Sequence, residues 1–63
     1  MVNNLKSIRE QKGMTLEGVA ELVGISTSYL CHLERGSRKN PSLKVSSKIA
    51  KTLNVAIEDV FEN

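Results

Sequence analysis

Thr15 to Gly36 reads T-L-E-G-V-A-E-L-V-G-I-S-T-S-Y-L-C-H-L-E-R-G, and this stretch decides the fold because it divides into two short helical patterns around a tight turn. Thr15 is an N-cap residue, and Val19, Leu22 and Val23 form a one-sided stripe behind it, which predicts a helix over 16–23. Gly24 can take the left-handed conformation that a sharp exit requires. Ile25 then tucks inward and Ser26 caps a second helix over 27–35. In that helix Leu30 and Leu33 point one way at i,i+3 spacing, while Thr27, Ser28, Cys31, His32 and Arg35 spread over the other side. Hydroxyls, an imidazole and a guanidinium on one outward face are the groups that read base edges and hold phosphates.

The flanks continue the helical pattern. A first helix is expected over 4–12, with Leu5 and Ile8 inward, an end at Gly13, and Lys12 placed favourably against the helix dipole. Met14 with Val19, and Ile25 with Leu30, have the spacing of hydrophobic staples. Beyond the polar, basic loop 36–41, a fourth helix is expected from Ser42 to Leu53, with Leu43, Ile49, Ala50 and Leu53 inward and Asn54 as a left-handed exit. A short fifth helix is expected over 57–61. Five helices with short connections and no strand signal predict an all-α compact bundle, read as a single domain over 1–63. Its expected core is Leu5, Ile8, Val19, Ala20, Val23, Ile25, Leu30, Leu33, Leu43, Ile49, Ala50, Leu53, Val55, Ile57 and Val60.

Sixty-three residues, 40% hydrophobic and 25% charged, describe a globular chain near the lower size limit for folding without a disulfide or a metal. A lone cysteine cannot form an internal disulfide, so a reducing, cytoplasmic setting is expected. The start M-V-N-N-L-K-S holds no apolar run of signal-peptide length, and no membrane span is expected. The net charge of +2 conceals a division. Residues 1–53 hold all nine Lys and Arg against four Glu, whereas Glu58, Asp59 and Glu62 make the last ten residues acidic. Arg35, Arg38, Lys39 and Lys44 fall within ten residues, where a phosphate backbone would follow the second helix of the pair. Cys31 and His32 are sequence neighbours whose side chains diverge by about 100° on a helix, so they cannot chelate one metal well. Neither a metal nor a cofactor is expected. One His, one Cys and scattered carboxylates give no nucleophile–base–orienter set, which argues against an enzyme.

The spacing Thr15-x-x-x-x-Ala20-x-x-x-Gly24-Ile25-Ser26, followed by Tyr29-Leu30-x-x-Leu33-Glu34-Arg35-Gly36 and Asn40-Pro41-Ser42-Leu43, resembles the lambda-repressor-like, Cro/cI-type (Xre) helix-turn-helix family from about Leu5 to Phe61. The resemblance implies a lambda-repressor-like bundle that puts its third helix into the DNA major groove. It implies base-edge contacts from Thr27, Ser28 and His32, with Cys31 on the same outward arc. Phosphate contacts would come from Arg35, Arg38 and Lys39, joined by Thr15, Tyr29, Asn40 and Lys44. Arg9 and Glu34 would form an internal ion pair fixing the third helix on the first. Members commonly dimerise through the C-terminal end, which here offers Phe61, Ile57 and Val55.

The chain also departs from the family pattern. Leu16 stands where a glutamine commonly touches a phosphate or a base, Gly18 where a capping-box glutamate sits, Ser46 at a usual leucine and Ala56 at a usual N-cap serine. The expected function is sequence-specific binding of double-stranded DNA by a transcriptional regulator, a repressor on family grounds, acting as a homodimer on a pseudopalindromic operator. With the sequence ending at Asn63, no sensor domain is expected, so regulation would come through abundance, a protein antagonist or Cys31. The second reading is a protein-interaction module of the same fold, such as an antitoxin or an antagonist of another regulator, and Leu16 on the DNA-facing side is the feature that favours it.

Overall fold

The computed structural model describes residues 4–36 and 41–61. Its described elements are all helical: α1 (Leu5–Gln11), α2 (Leu16–Val23), α3 (Thr27–Arg35), α4 (Leu43–Leu53) and α5 (Ile57–Val60). Local chemistry sets most of these limits. The hydroxyls of Thr15, Ser26 and Ser42 accept the backbone N–H of Gly18, Tyr29 and Val45 at 3.0, 3.0 and 3.2 Å, each satisfying one orphan donor of a helix start. At the other end of α2, Gly24 lies at φ +86°, which turns the chain so that Ile25 N–H donates to the Ala20 carbonyl at 3.0 Å. Asn54 ends α4 at φ +59°, the one left-handed residue other than glycine among those described.

α2 packs on α3 and α4, α5 packs on α4, and α1 packs on α3. Their shared core consists of Leu5, Val19, Ala20, Val23, Leu30, Leu33, Ile49, Ala50, Leu53 and Val60, with Ile8, Met14, Leu16, Ile25, Tyr29, Val45, Val55 and Phe61 packed partly against it. Each fully buried Leu or Ile side chain contributes about 1.5–3 kcal/mol, so this set holds the bundle without covalent help. The start of α1 is fastened to α5. Asn4 donates from its backbone N–H to the Val60 carbonyl at 2.8 Å and from Nδ2 to the Asp59 carbonyl at 3.1 Å.

Several expectations need correction. Leu43 is 75% exposed and Leu22 is 66% exposed. Leu43 lies in the first turn of α4, where Ser42 and Lys44 are also exposed, about 10 Å along the helix from Ala50, the core residue two turns below it. Leu22 sits at the edge of the α2 stripe and turns out of it. Ile57 is half-buried and stands outside the main cluster. Conversely, Pro41 is buried, and so is Ser46 at 7% exposure. Helix α1 is one residue shorter at each end than expected, Ser42 caps α4 instead of opening it, and α5 stops before Phe61, whose backbone is extended.

Candidate nucleic-acid interface

Because Leu30 and Leu33 are fully buried, the opposite side of α3 faces outward. Ser28, Cys31, His32 and Arg35 fall at i, i+3, i+4 and i+7, so they line one stripe about 10 Å long. Ser28, Arg35 and Thr27, at the edge of the stripe, are exposed; Cys31, a free thiol, and His32 are half-buried. Thr15 is exposed at the start of α2 and Lys44 in the first turn of α4, while Tyr29 is half-buried against the core. Arg38, Lys39 and Asn40 lie outside the described residues.

What fixes this stripe in space is a side chain on another helix. Arg9 of α1 donates from Nε to Glu34 Oε2 at 2.6 Å and from Nη2 to Oε1 at 3.3 Å. Its Nη1 donates to the Met14 carbonyl at 2.9 Å. One guanidinium therefore joins α1, the connection before α2, and the last turn of α3. Both partners are largely withdrawn from solvent, at 12% and 7% side-chain exposure, and the fork geometry satisfies both carboxylate oxygens. The hydrogen bond to Glu34 holds the Arg9 guanidinium above its ordinary pKa, against the lowering effect of burial; the charges of Glu34, Glu10 and Glu17 add to the rise.

Between α1, α2 and α3 an open groove of about 430 Å³ is lined by Lys6, Arg9, Leu16, Cys31, Glu34 and Arg35. It runs beside the α3 stripe. Lys6 was not among the expected site residues; its only sequence signal is the i,i+3 spacing from Arg9. Leu16 is half-buried and packs in part against the core, so it is not the fully presented apolar contact that the interaction-module reading relied on. Among the described residues no three His, Cys, Asp or Glu side chains are placed to hold a metal ion, and no helix is long and apolar enough to cross a membrane.

At the C-terminal end, the domain itself buries Leu53 and Val60 and packs Val55 and Phe61 partly against the core. The apolar surplus there is smaller than the sequence suggests. Val55, Ile57 and Phe61 each remain part-exposed.

Known proteins share this arrangement. A family model described as helix-turn-helix matches residues 5–60. An uncharacterized HTH-type transcriptional regulator of Archaeoglobus fulgidus is 41% identical over 61 residues, 97% of this chain and 84% of that protein. The restriction-modification controller protein C.AhdI from Aeromonas hydrophila superposes with a TM-score of 0.83 at 36% identity, over 92% of this chain and 86% of that one. The master regulator for biofilm formation SinR, in complex with DNA, superposes with a TM-score of 0.81 at 34% identity, over 87% of each chain. Of the full-length SinR of Bacillus subtilis the chain spans 52%. With the two capped helices around Gly24, the E-R-G end of α3 tied to Arg9, and a family match over nearly its whole length, the chain belongs to the Cro/cI-type (Xre) helix-turn-helix family.

Proposed function

We propose that the chain is a cytoplasmic transcriptional regulator, a repressor, that binds double-stranded DNA sequence-specifically with α3 in the major groove. The observation that carries this reading is the polar stripe Ser28, Cys31, His32 and Arg35 on a helix whose other side is locked by Leu30, Leu33 and the Arg9–Glu34 pair. A reading helix must be rigid to place side chains on base edges, and the fork to Glu34 supplies that rigidity from outside α3. Thr27, Ser28 and His32 would reach base edges, with Cys31 alongside them. Arg35, Thr15, Tyr29 and Lys44 would hold the backbone, as would Arg38, Lys39 and Asn40. Support comes from the likeness to SinR, which is solved in complex with DNA.

Two copies would join through Val55, Ile57 and Phe61 about a two-fold axis, setting two α3 helices about 34–36 Å apart on a pseudopalindromic operator. The reading is tested by selecting bound duplexes from a randomised pool and titrating the winners against unselected duplexes at two salt concentrations. A consensus with two related half-sites, bound far more tightly than the unselected pool and by two chains, is the expected result. Equal affinity for selected and unselected duplexes would overturn sequence-specific recognition, and one-to-one binding would overturn the dimer.

A further inference from the structure

We infer that the groove between α1, α2 and α3 seats a backbone phosphate of the bound DNA, and that Lys6 of α1 holds this phosphate together with Arg35 of α3. The inference rests on the DNA-binding reading and adds to it a residue and a helix that the reading does not use.

Charge accounting within the groove comes first. Four of its lining residues are charged, but Arg9 and Glu34 are joined to each other at 2.6 Å and cancel. The remaining two, Lys6 and Arg35, are both cationic and exposed, and neither has an ion-pair partner among the described residues. Glu17, the acid in the first turn of α2, does not line the groove. A concave surface with two uncompensated cations on its rim attracts an anion.

The floor of the groove narrows the choice of anion. Leu16 and Cys31 are half-buried there and offer carbon and a weakly polar thiol, a surface suited to sugar carbons beside a phosphate. Leu16 is also the first residue of α2, and the Thr15 hydroxyl takes the N–H of Gly18, leaving those of Leu16 and Glu17 at the positive end of an eight-residue helix. Arg35 shares the outward stripe of α3 with Ser28 and His32, so an anion beside it lies at the edge of the groove that α3 reads. That position belongs to a phosphodiester of the same duplex. With an apolar side chain at position 16, the polar contact that α2 does not make is supplied by Lys6 from α1.

The experiment uses a duplex selected by the wild-type chain, titrated with wild type, Lys6→Ala and Lys6→Arg at about 50 and 200 mM salt. Loss of one phosphate contact should lower the slope of log affinity against log salt by about 0.9, which shrinks the affinity ratio between those two salts roughly three- to fourfold. Lys6→Arg should keep the wild-type slope, and the selected base sequence should be the same for all three. Neutral methylphosphonate linkages placed singly along the half-site should include one that weakens wild type and leaves Lys6→Ala unaffected. Because Lys6 is exposed, all three proteins should melt at the same temperature.

A Lys6→Ala protein with the wild-type slope would overturn the inference, as would a methylphosphonate scan in which the variant pays every penalty that wild type does. Inorganic phosphate binding lost in the variant, with the DNA slope intact, would reassign the groove to a free anion and also overturn it. A wild-type chain that binds no duplex would remove the DNA-binding reading itself, a failure visible before any variant is compared.

Discussion

The segments 15–36 and 41–61 each contain two consecutive helices, but they are specified differently. In the first, both helices start on a hydroxyl that accepts a backbone N–H and end on a left-handed glycine, Gly24 or Gly36. In the second, α4 starts the same way on Ser42, but it ends on Asn54, and α5 begins at Ala56, which has no side-chain oxygen. There the Ala56 N–H donates to Asp59 Oδ2 at 3.2 Å, half of a reciprocal cap. The first pair is written in local chemistry. The second depends on what it packs against: α2 beneath α4, and Asn4 hydrogen-bonded to the carbonyls of Asp59 and Val60.

The largest expected effect falls where the first segment depends on a distant partner. Glu34→Ala strands a largely buried guanidinium and should cost about 3–5 kcal/mol, whereas Arg9→Met combined with Glu34→Leu should recover much of that loss. Thermal melts of the singles and the double decide it, and small additive losses would show that α3 holds its position without help from α1. The contribution from Arg9 has a defined pH range. Its folded-state pKa is raised, so this contribution is fully present below the ordinary guanidinium pKa and is lost only in strong alkali, as pH rises through the raised value. Between about pH 5 and 9 wild type and Arg9→Lys should therefore show no divergence caused by deprotonation at position 9.

The next contrast lies within α4. Leu53→Ala should cost about 2–5 kcal/mol as a buried truncation, whereas Leu43→Ala should change stability by less than about 0.5 kcal/mol. Urea titrations of the two variants measure the difference directly, and a comparable loss at Leu43 would mean that its exposed side chain is covered in solution. On the reading face, His32→Ala and Ser28→Ala should relax discrimination at particular base pairs by about 1–3 kcal/mol per lost contact, leaving the salt slope alone. Competition between single-base operator variants reads this out. The smallest effect tests the second segment's missing cap: Ala56→Ser should gain about 0.5–1 kcal/mol by adding the hydroxyl that the other helix starts have. A neutral result in thermal melts would show that Asp59 already satisfies that end.

This division also explains what was legible in the sequence. The limits of α2 and α3 follow from Thr15, Gly24, Ser26 and Gly36, residues whose conformational preferences act within one turn, and the structure has both helices at those limits. Periodicity assigned Leu43 to the apolar side of α4 but carries no information about how far the core extends along the helix axis, so its exposure was not legible. Nor was the burial of Ser46, a small polar side chain on the inward arc. The Arg9–Glu34 contact spans 25 positions; no periodicity links residues so far apart, and the expectation came from the family pattern alone. Lys6 was missed because its place in the groove depends on Arg9, Glu34 and Leu16 being brought together from three helices.

The alternation along α3 has a consequence for how such a chain can change. Leu30, Leu33 and Glu34 hold the helix to the bundle, while Ser28, Cys31 and Arg35 project from its opposite arc. Exchanges on the outer arc fall within the small stability changes typical of surface positions. A lineage carrying this helix can therefore drift through many target preferences on a constant scaffold, and duplicated copies can diverge in the sites they occupy without first acquiring compensating changes in the core.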